Sequence, residues 1–295
     1  MKCFVCGGEM TPYFEKNFGM KHVDHCEYVC CENCGLVVSK TIYEMPHKQW
    51  EALNYECHSA LFNKGEINYT DIDPNVYVRF ESQSNFFSEL VKYEIFKSDW
   101  KAVDYGAGNG TLADMTNKKI GKAWLKKFDA YMEALDENYL TEVSPQSFDF
   151  LVSSSVFEHL NGIGGDVDRI IELIKPTGIM GLHTLICEEV PKNPNWFYAL
   201  LPIHCTFWTN KATQILYEKA GFKRCAYHVE SRMWLMFRNI EDFERLKSSA
   251  EKLTGTLVFS ENFVDYWKLK PDQIVFPAAT SSKIYKILDS WKVDK

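Results

Sequence analysis

The chain predicts an α/β fold built on a doubly wound sheet, and three observations carry that expectation. Val103-Asp104-Tyr105-Gly106-Ala107-Gly108-Asn109-Gly110 reads as a buried strand ending in a glycine-rich turn, with a helix starting near Thr111. From Trp100 onward, apolar runs of strand length alternate with helical stretches, the pattern of a parallel sheet covered by helices. Of the 295 residues, 46% are apolar and 15% aromatic, which is enough to fill a sizeable core.

The elements follow in order. Residues 101–105 form the first strand and 111–119 the first helix. Residues 129–133 read as the second strand, which puts Glu133 at its tip. Residues 148–153 form another strand and 166–174 a helix. Pro176 and Gly178 then mark a turn into a strand at 179–184. Residues 211–220 form a helix closed by Gly221, a position where glycine's left-handed freedom is used. Residues 224–229 and 233–237 close the sheet as an antiparallel pair. Ahead of the sheet, residues 83–96 carry Phe86, Phe87, Leu90, Val91 and Ile95 as a helical stripe. Further upstream, Tyr55, His58, Tyr69, Tyr77 and Arg79 lie in a segment of weak periodicity, either a lid or a surface connector. The tail adds a helix and the aromatics Phe263, Tyr266 and Trp267, to complete a substrate pocket or to cover the sheet. The expected division is a small module at 1–45, a helical connector or lid at 46–99, a nucleotide-type domain at 100–240 and an extension at 241–295.

Six of the ten cysteines fall in the first 34 residues. Cys3-Phe-Val-Cys6-Gly7 and Cys31-Glu-Asn-Cys34-Gly35 are two C-x-x-C-G knuckles. Each turn aims two thiolates at one ion, and the glycine relaxes the backbone after the second ligand. Cys3, Cys6, Cys31 and Cys34 are therefore expected to hold Zn²⁺ as a tetrahedral zinc ribbon. Cys30 competes with Cys31 as the partner of Cys34, and the x₂ spacing favours Cys31. Cys26, His22 and His25 are reserve ligands, otherwise a solvated loop. So small a module has little core, and zinc would supply much of its folding energy.

The formal charge is −7. That balance argues against a nucleic-acid partner, whose phosphates call for clustered Lys and Arg. No charged and apolar opening segment reads as a secretory signal. No apolar run reaches the ~18 residues that span a bilayer. The expectation is a cytoplasmic protein with no membrane partner, and of undetermined oligomeric state.

The glycine spacing is G-x-G-x-G, with Asp104 two residues before the first glycine. It resembles the first motif of the class I S-adenosylmethionine (SAM) methyltransferases. Ser147-Phe-Asp-Phe-Leu-Val-Ser-Ser-Ser-Val-Phe-Glu-His-Leu160 resembles that family's F-D-x strand followed by an E-H-L helix start. Ile174-Lys-Pro-Thr-Gly-Ile-Met-Gly181 resembles its L-K-P-G-G turn. Leu201-Pro-Ile-His-Cys-Thr-Phe207 with Ala220-Gly-Phe222 resembles its P-x-H-x-x-F…A-G-F region. These segments occur in the family's order over residues 75 to 240. With the ribbon, the chain is similar to the bacterial sugar C- and O-methyltransferases. The resemblance implies a Rossmann-like sheet and SAM as cofactor, held by Asp104, Gly106, Gly108, Gly110 and Glu133. Ser154, within 153–155, would line the adenosyl or sulfonium side. Glu133 lies roughly 20 residues past the loop, where a carboxylate binds a ribose diol; Asp136 is its rival. The stretch between Glu133 and Phe148 is too short for a full helix and third strand. That unit is shrunken or lost, and the adenine-binding acid cannot be assigned.

Methyl transfer to oxygen or carbon needs alignment and a base of near-neutral pKa. His159 is the first candidate, with Glu158 beside it to assist, as the resemblance implies. His204 is the second and His183, at a strand end, the third. The expected function is methyl transfer to a small acceptor, a nucleotide-linked sugar or saccharide. Two alternatives stand: a ribosomal-RNA base methyltransferase, and an inactive methyltransferase-like scaffold with the ribbon as a docking module.

Overall fold

The computed structural model describes residues 1–63, 76–131, 136–268 and 274–275, with 58–63 and 274–275 described by their backbone alone. The His58 side chain, Tyr69 and Glu133 lie outside the described set. The chain opens with strands β1 (Met10–Asn17), β2 (His25–Cys31) and β3 (Val37–Ser39), then helices α1 (Lys40–Tyr43), α2 (His47–Asn63) and α3 (Val76–Lys92). Next come β4 (Ala102–Tyr105), α4 (Thr111–Ile120), β5 (Leu125–Phe128), β6 (Phe148–Ser154), α5 (Asp166–Glu172) and β7 (Ile174–His183). Then follow β8 (Ile186–Cys187), β9 (Thr206–Thr209), α6 (Asn210–Lys219), β10 (Arg224–His228), β11 (Met233–Phe237), α7 (Ile240–Ser248), β12 (Leu257–Ser260) and β13 (Ile274–Val275).

These elements fall into two compact units, each gathered from separated stretches of chain. The first holds residues 1–77, 155–170 and 184–216; the second holds 78–154, 171–183 and 217–295.

The second unit is the expected α/β sheet, with strand order β13-β12-β10-β11-β7-β6-β4-β5. Strands β5, β4, β6 and β7 run parallel, and β11, β10 and β12 continue antiparallel. Phe86, Phe87 and Leu90 of α3 are buried against Phe150, Leu235 and Phe237 of the sheet. Each such side chain contributes ~1.5–3 kcal/mol on burial. Helix α3 ends at Lys92, so Ile95 and Phe96 reach the same core from the chain beyond it.

Two expectations about elements change, and one is met in reduced form. The second strand is Leu125–Phe128, not 129–133, so the residue at its tip is Asp129 rather than Glu133. The unit expected to be shrunken or lost is, among the described residues, a bridge in which Tyr139 sits beside Lys127. Pro176 and Gly178 lie inside β7, where Phe148↔Ile174 and Phe150↔Ile179 frame a bulge. A bulge is where a sheet tolerates both residues. A Cβ on Gly178 would meet the Phe148 carbonyl oxygen at 3.0 Å. Among its described residues the tail adds β12, which pairs along β10 and extends the sheet.

The first unit carries a five-stranded sheet in the order β1-β2-β3-β9-β8. Strand β9 pairs antiparallel with β3 through Val37↔Phe207, so the N-terminal ribbon is stitched to a segment far along the chain. Its core stacks Tyr28 on Phe14 and Phe207, with ring centroids 4.6 and 5.5 Å apart. Cys26 lies in β2, fully buried in that core and outside the four-cysteine cluster, so it is neither a reserve ligand there nor part of a solvated loop.

Candidate functional site

In the second unit the glycine loop leaves β4 and turns into α4. Gly106, Gly108 and Gly110 have φ of 74°, 54° and 78°, the left-handed region that side chains avoid. The N–H groups of Gly106 and Ala107 both donate to the Phe128 carbonyl, at 2.8 and 3.1 Å. Gly108 N–H donates to Asp129 Oδ2 at 2.9 Å, and the Tyr139 hydroxyl donates to the Gly108 carbonyl at 2.7 Å. The loop is thus bolted to the end of β5 at successive residues. Space beside Gly108 is open, while a Cβ on Gly110 would press on the Lys127 side chain at 2.7 Å. Lys127 is buried and pairs with Asp114 at 2.6 Å and Asp136 at 2.7 Å. Asp136, the expected rival for a ribose, is therefore committed to a lysine. Gly110 gives α4 no side-chain cap; Asn109 Oδ1 accepts from the Thr111 N–H at 3.2 Å instead.

Asp104 lies under this loop and is 3% exposed. Burial, then the neighbouring Asp129 charge, pushes its carboxyl up to about 7. At the end of β6 the Ser154 hydroxyl donates to Gln83 Oε1 at 3.1 Å, and Gln83 Nε2 donates to the Ser231 carbonyl at 3.2 Å. The neighbouring Ser153 hydroxyl is buried without a hydrogen-bond partner among the described residues. His183 donates from Nδ1 to the Arg232 carbonyl at 2.9 Å and accepts at Nε2 from Arg79 at 3.2 Å. Burial and Arg79 hold its pKa well below the usual histidine value. Both ring nitrogens of His183 are thus engaged within the second unit.

The first unit gathers the other candidates. Phe157–His159 is a short 3₁₀ turn. The Trp208 indole N–H donates to the Phe157 carbonyl and Cys205 N–H to the Glu158 carbonyl, both at 2.9 Å. Those bonds fix the side chains that follow. A ligand atom from each of Glu158, His159 and His204 lies within 4.8 Å of the others. Each imidazole faces a backbone carbonyl with Nδ1: His159 that of Ile203 at 3.0 Å, His204 that of Tyr198 at 2.8 Å. Glu158 is buried and accepts from the Thr184 hydroxyl at 2.8 Å. Burial lowers the pKa of His204, partly countered by Glu158. Burial, with Glu158 next, holds the Tyr198 hydroxyl well above its usual value.

The four knuckle cysteines also converge in this unit, with all sulfurs within 4.8 Å of one another. Cys3 and Cys34 are 3.7 Å apart, Cys6 and Cys31 3.3 Å. The knuckles match: Gly7 N–H donates to the Cys3 carbonyl at 2.8 Å and Gly35 N–H to the Cys31 carbonyl at 2.9 Å. Cys30 stays outside the cluster, its thiol turned to the Gly35 carbonyl. His25 is paired with Asn17 and His22 with Glu56, both away from the cluster.

Sequence reasoning missed Asp129, Gln83 and Tyr139. Asp129 carried a signal: it follows the loop at the ribose-binding distance, once the strand is placed on Leu125–Phe128. Two lysines inside that strand hide its apolar pattern. Gln83 and Tyr139 carried none, since a single polar residue in a helix and one tyrosine in a loop have no motif.

A methyltransferase-domain family model matches residues 79–226, half of the chain. No curated protein matches. Among solved structures, magnesium protoporphyrin IX methyltransferase from Synechocystis PCC 6803 aligns at 12% identity and TM-score 0.41, covering 65% of this chain and 97% of that one. A SAM-dependent methyltransferase from Aquifex aeolicus aligns at 16% identity and TM-score 0.36, covering 58% and 98%. Phosphoethanolamine N-methyltransferase 2 from Haemonchus contortus aligns at 16% identity and TM-score 0.38; the match covers 80% of this chain and 55% of that one.

Proposed function

We propose that this chain, which belongs to the methyltransferase-domain family and is a SAM-dependent methyltransferase, methylates a small acceptor of the saccharide class at oxygen or carbon. The observation that carries the cofactor half of this reading is the clamped loop at 106–110, with Asp129 on the Gly108 N–H. The residues fit SAM: the open face of Gly108 admits a ligand against the backbone, and α4 offers N–H groups beside it. Asp104, Gly106, Gly108 and Gly110 form the cradle. Asp129 takes the ribose role expected of Glu133, because it stands where β5 ends. Ser154, oriented by Gln83, lines the cofactor's reacting side. When bound, SAM supplies a methyl group on an electrophilic sulfonium.

Glu158, His159 and His204 are the residues we assign to the acceptor's proton. Nδ1–H donation to a carbonyl leaves each imidazole's lone pair on Nε2, the form a general base requires. The saccharide class is supported by the resemblance of the ribbon and the P-x-H-x-x-F segment to sugar methyltransferases. The −7 charge supports a small acceptor over RNA.

Zn²⁺ fits the four cysteines. Zn–S bonds of ~2.3 Å place tetrahedral sulfurs about 3.8 Å apart, against 3.7 Å for Cys3 and Cys34. The Cys34 thiol pulls Cys3 down to about 5, so one thiolate of the set is already favoured. The ion would tie β2 to the turn before β1 and stabilise that fold.

The test incubates the protein with SAM and a panel of nucleotide-linked sugars and free saccharides, and reads each acceptor by mass. Gain of one methyl by a sugar, lost in His159→Ala, supports the reading. Methylation of RNA, or of no sugar by a protein that binds SAM, overturns the saccharide acceptor.

A further inference from the structure

Glu158, His159 and His204 form a second cluster with metal-ligand composition, separate from the four cysteines. Three features set it apart from a chance gathering of polar residues. Both imidazoles have Nδ1 against a backbone carbonyl, at 3.0 and 2.8 Å. That contact is the outer-shell bond which orients metal-binding histidines and leaves Nε2 to coordinate. The carboxylate is 2% exposed and is held in place by the Thr184 hydroxyl. A buried carboxylate calls for a balancing positive charge, and among the described residues no lysine or arginine pairs with Glu158.

We propose that Glu158, His159 and His204 bind one divalent transition-metal cation, with its remaining positions open to water or an oxygen of a bound molecule. Two imidazoles and one carboxylate suit zinc, iron(II) or cobalt(II); magnesium and calcium prefer oxygen ligands alone. Three protein ligands with an open position are the arrangement of reactive sites, in contrast to the closed four-cysteine site. Ligands ~2.0–2.1 Å from an ion sit roughly 3.3 Å apart, so binding draws the three side chains together by rotation. The inference stands on this geometry; coordination takes the Nε2 lone pair that the base role uses, so the two roles belong to the metal-bound and the metal-free states of the same residues.

The test titrates the zinc-loaded full chain, its cysteine site filled, with cobalt(II) and records visible absorption. One further equivalent is expected to bind with weak d–d bands of nitrogen and oxygen ligation. His204→Ala and Glu158→Gln, shown by circular dichroism to be folded, should lose at least ~100-fold in cobalt affinity, the upper end of what loss of an outer partner costs. In the wild-type chain, zinc addition should also move the imidazole ¹⁵N resonances of His159 and His204, which needs no variant. No extra uptake, a sulfur charge-transfer band alone, unmoved imidazole resonances, or unchanged binding in the folded variants overturns the proposal.

Discussion

The Gly108 N–H donates to the Asp129 carboxylate at 2.9 Å, joining the glycine loop to the residue just past β5. Asp129 also accepts from the Tyr131 N–H at 2.9 Å, so its carboxylate is oriented from both sides. Asp129→Ala should weaken SAM and S-adenosylhomocysteine binding about 10–100-fold, the worth of hydrogen bonds to a charged group. Calorimetric titration reads this directly. Glu133→Ala should bind close to wild type. A loss in Glu133→Ala with Asp129→Ala unaffected would return the ribose role to Glu133.

Gly110→Ala tests the loop from the packing side. The new methyl meets Lys127 atoms at 2.7 Å and sits on a residue with φ of 78°. Lys127 has little room to yield, since it is buried between Asp114 and Asp136. The expected cost is ~1–3 kcal/mol of stability, read by urea denaturation, with weaker SAM binding. Gly121→Ala is the control: its φ of 80° carries similar backbone strain, but nothing lies within 4 Å of the added methyl.

Cys34→Ser removes a ligand from the four-sulfur cluster, whereas Cys30→Ser does not. Native mass spectrometry should find the cysteine-bound zinc absent in Cys34→Ser and present in Cys30→Ser. The Cys34 variant should also melt earlier, because structural zinc in small modules supplies ~10–16 kcal/mol of apparent binding energy. Retained zinc in Cys34→Ser with loss in Cys30→Ser would reassign the fourth ligand.

The parts of this fold that sequence reading reached share a cause: their signals are local. Two C-x-x-C-G knuckles and a G-x-G-x-G turn prescribe backbone geometry within a few residues, and Cys3, Cys6, Cys31 and Cys34 do converge. The second strand was displaced because Lys126 and Lys127 break its apolar pattern; Lys127 is buried only through ion pairs with Asp114 and Asp136. The pairing of β9 with β3 links residues far apart in sequence and has no local signature. The motif E-H-L reads as a helix start, yet Phe157–His159 is one 3₁₀ turn held by Trp208 and Cys205. Gln83 reaches Ser154 from a helix whose apolar stripe alone was legible.

Asp104 makes the protein's stability depend on pH. Its carboxyl is pushed up to about 7 by burial and by Asp129, while an unfolded aspartate titrates near 3.9, at about pH 4. Between those values the folded chain binds more protons than the unfolded one, so stability falls as pH rises through that window. The contribution is complete below about pH 4 and is gone above about pH 7. Asp104→Asn mimics the protonated side chain. In ligand-free protein its melting temperature should therefore gain on wild type as pH rises from about 5 to 8. A cationic ligand beside Asp104 favours the ionised carboxylate. SAM binding near pH 6.5, about half a unit below the titration, should then release a proton, measured as a dependence of binding heat on buffer ionisation enthalpy. The release should vanish in Asp104→Asn. Parallel stability profiles and no buffer dependence would mean that Asp104 is already ionised in the ligand-free fold.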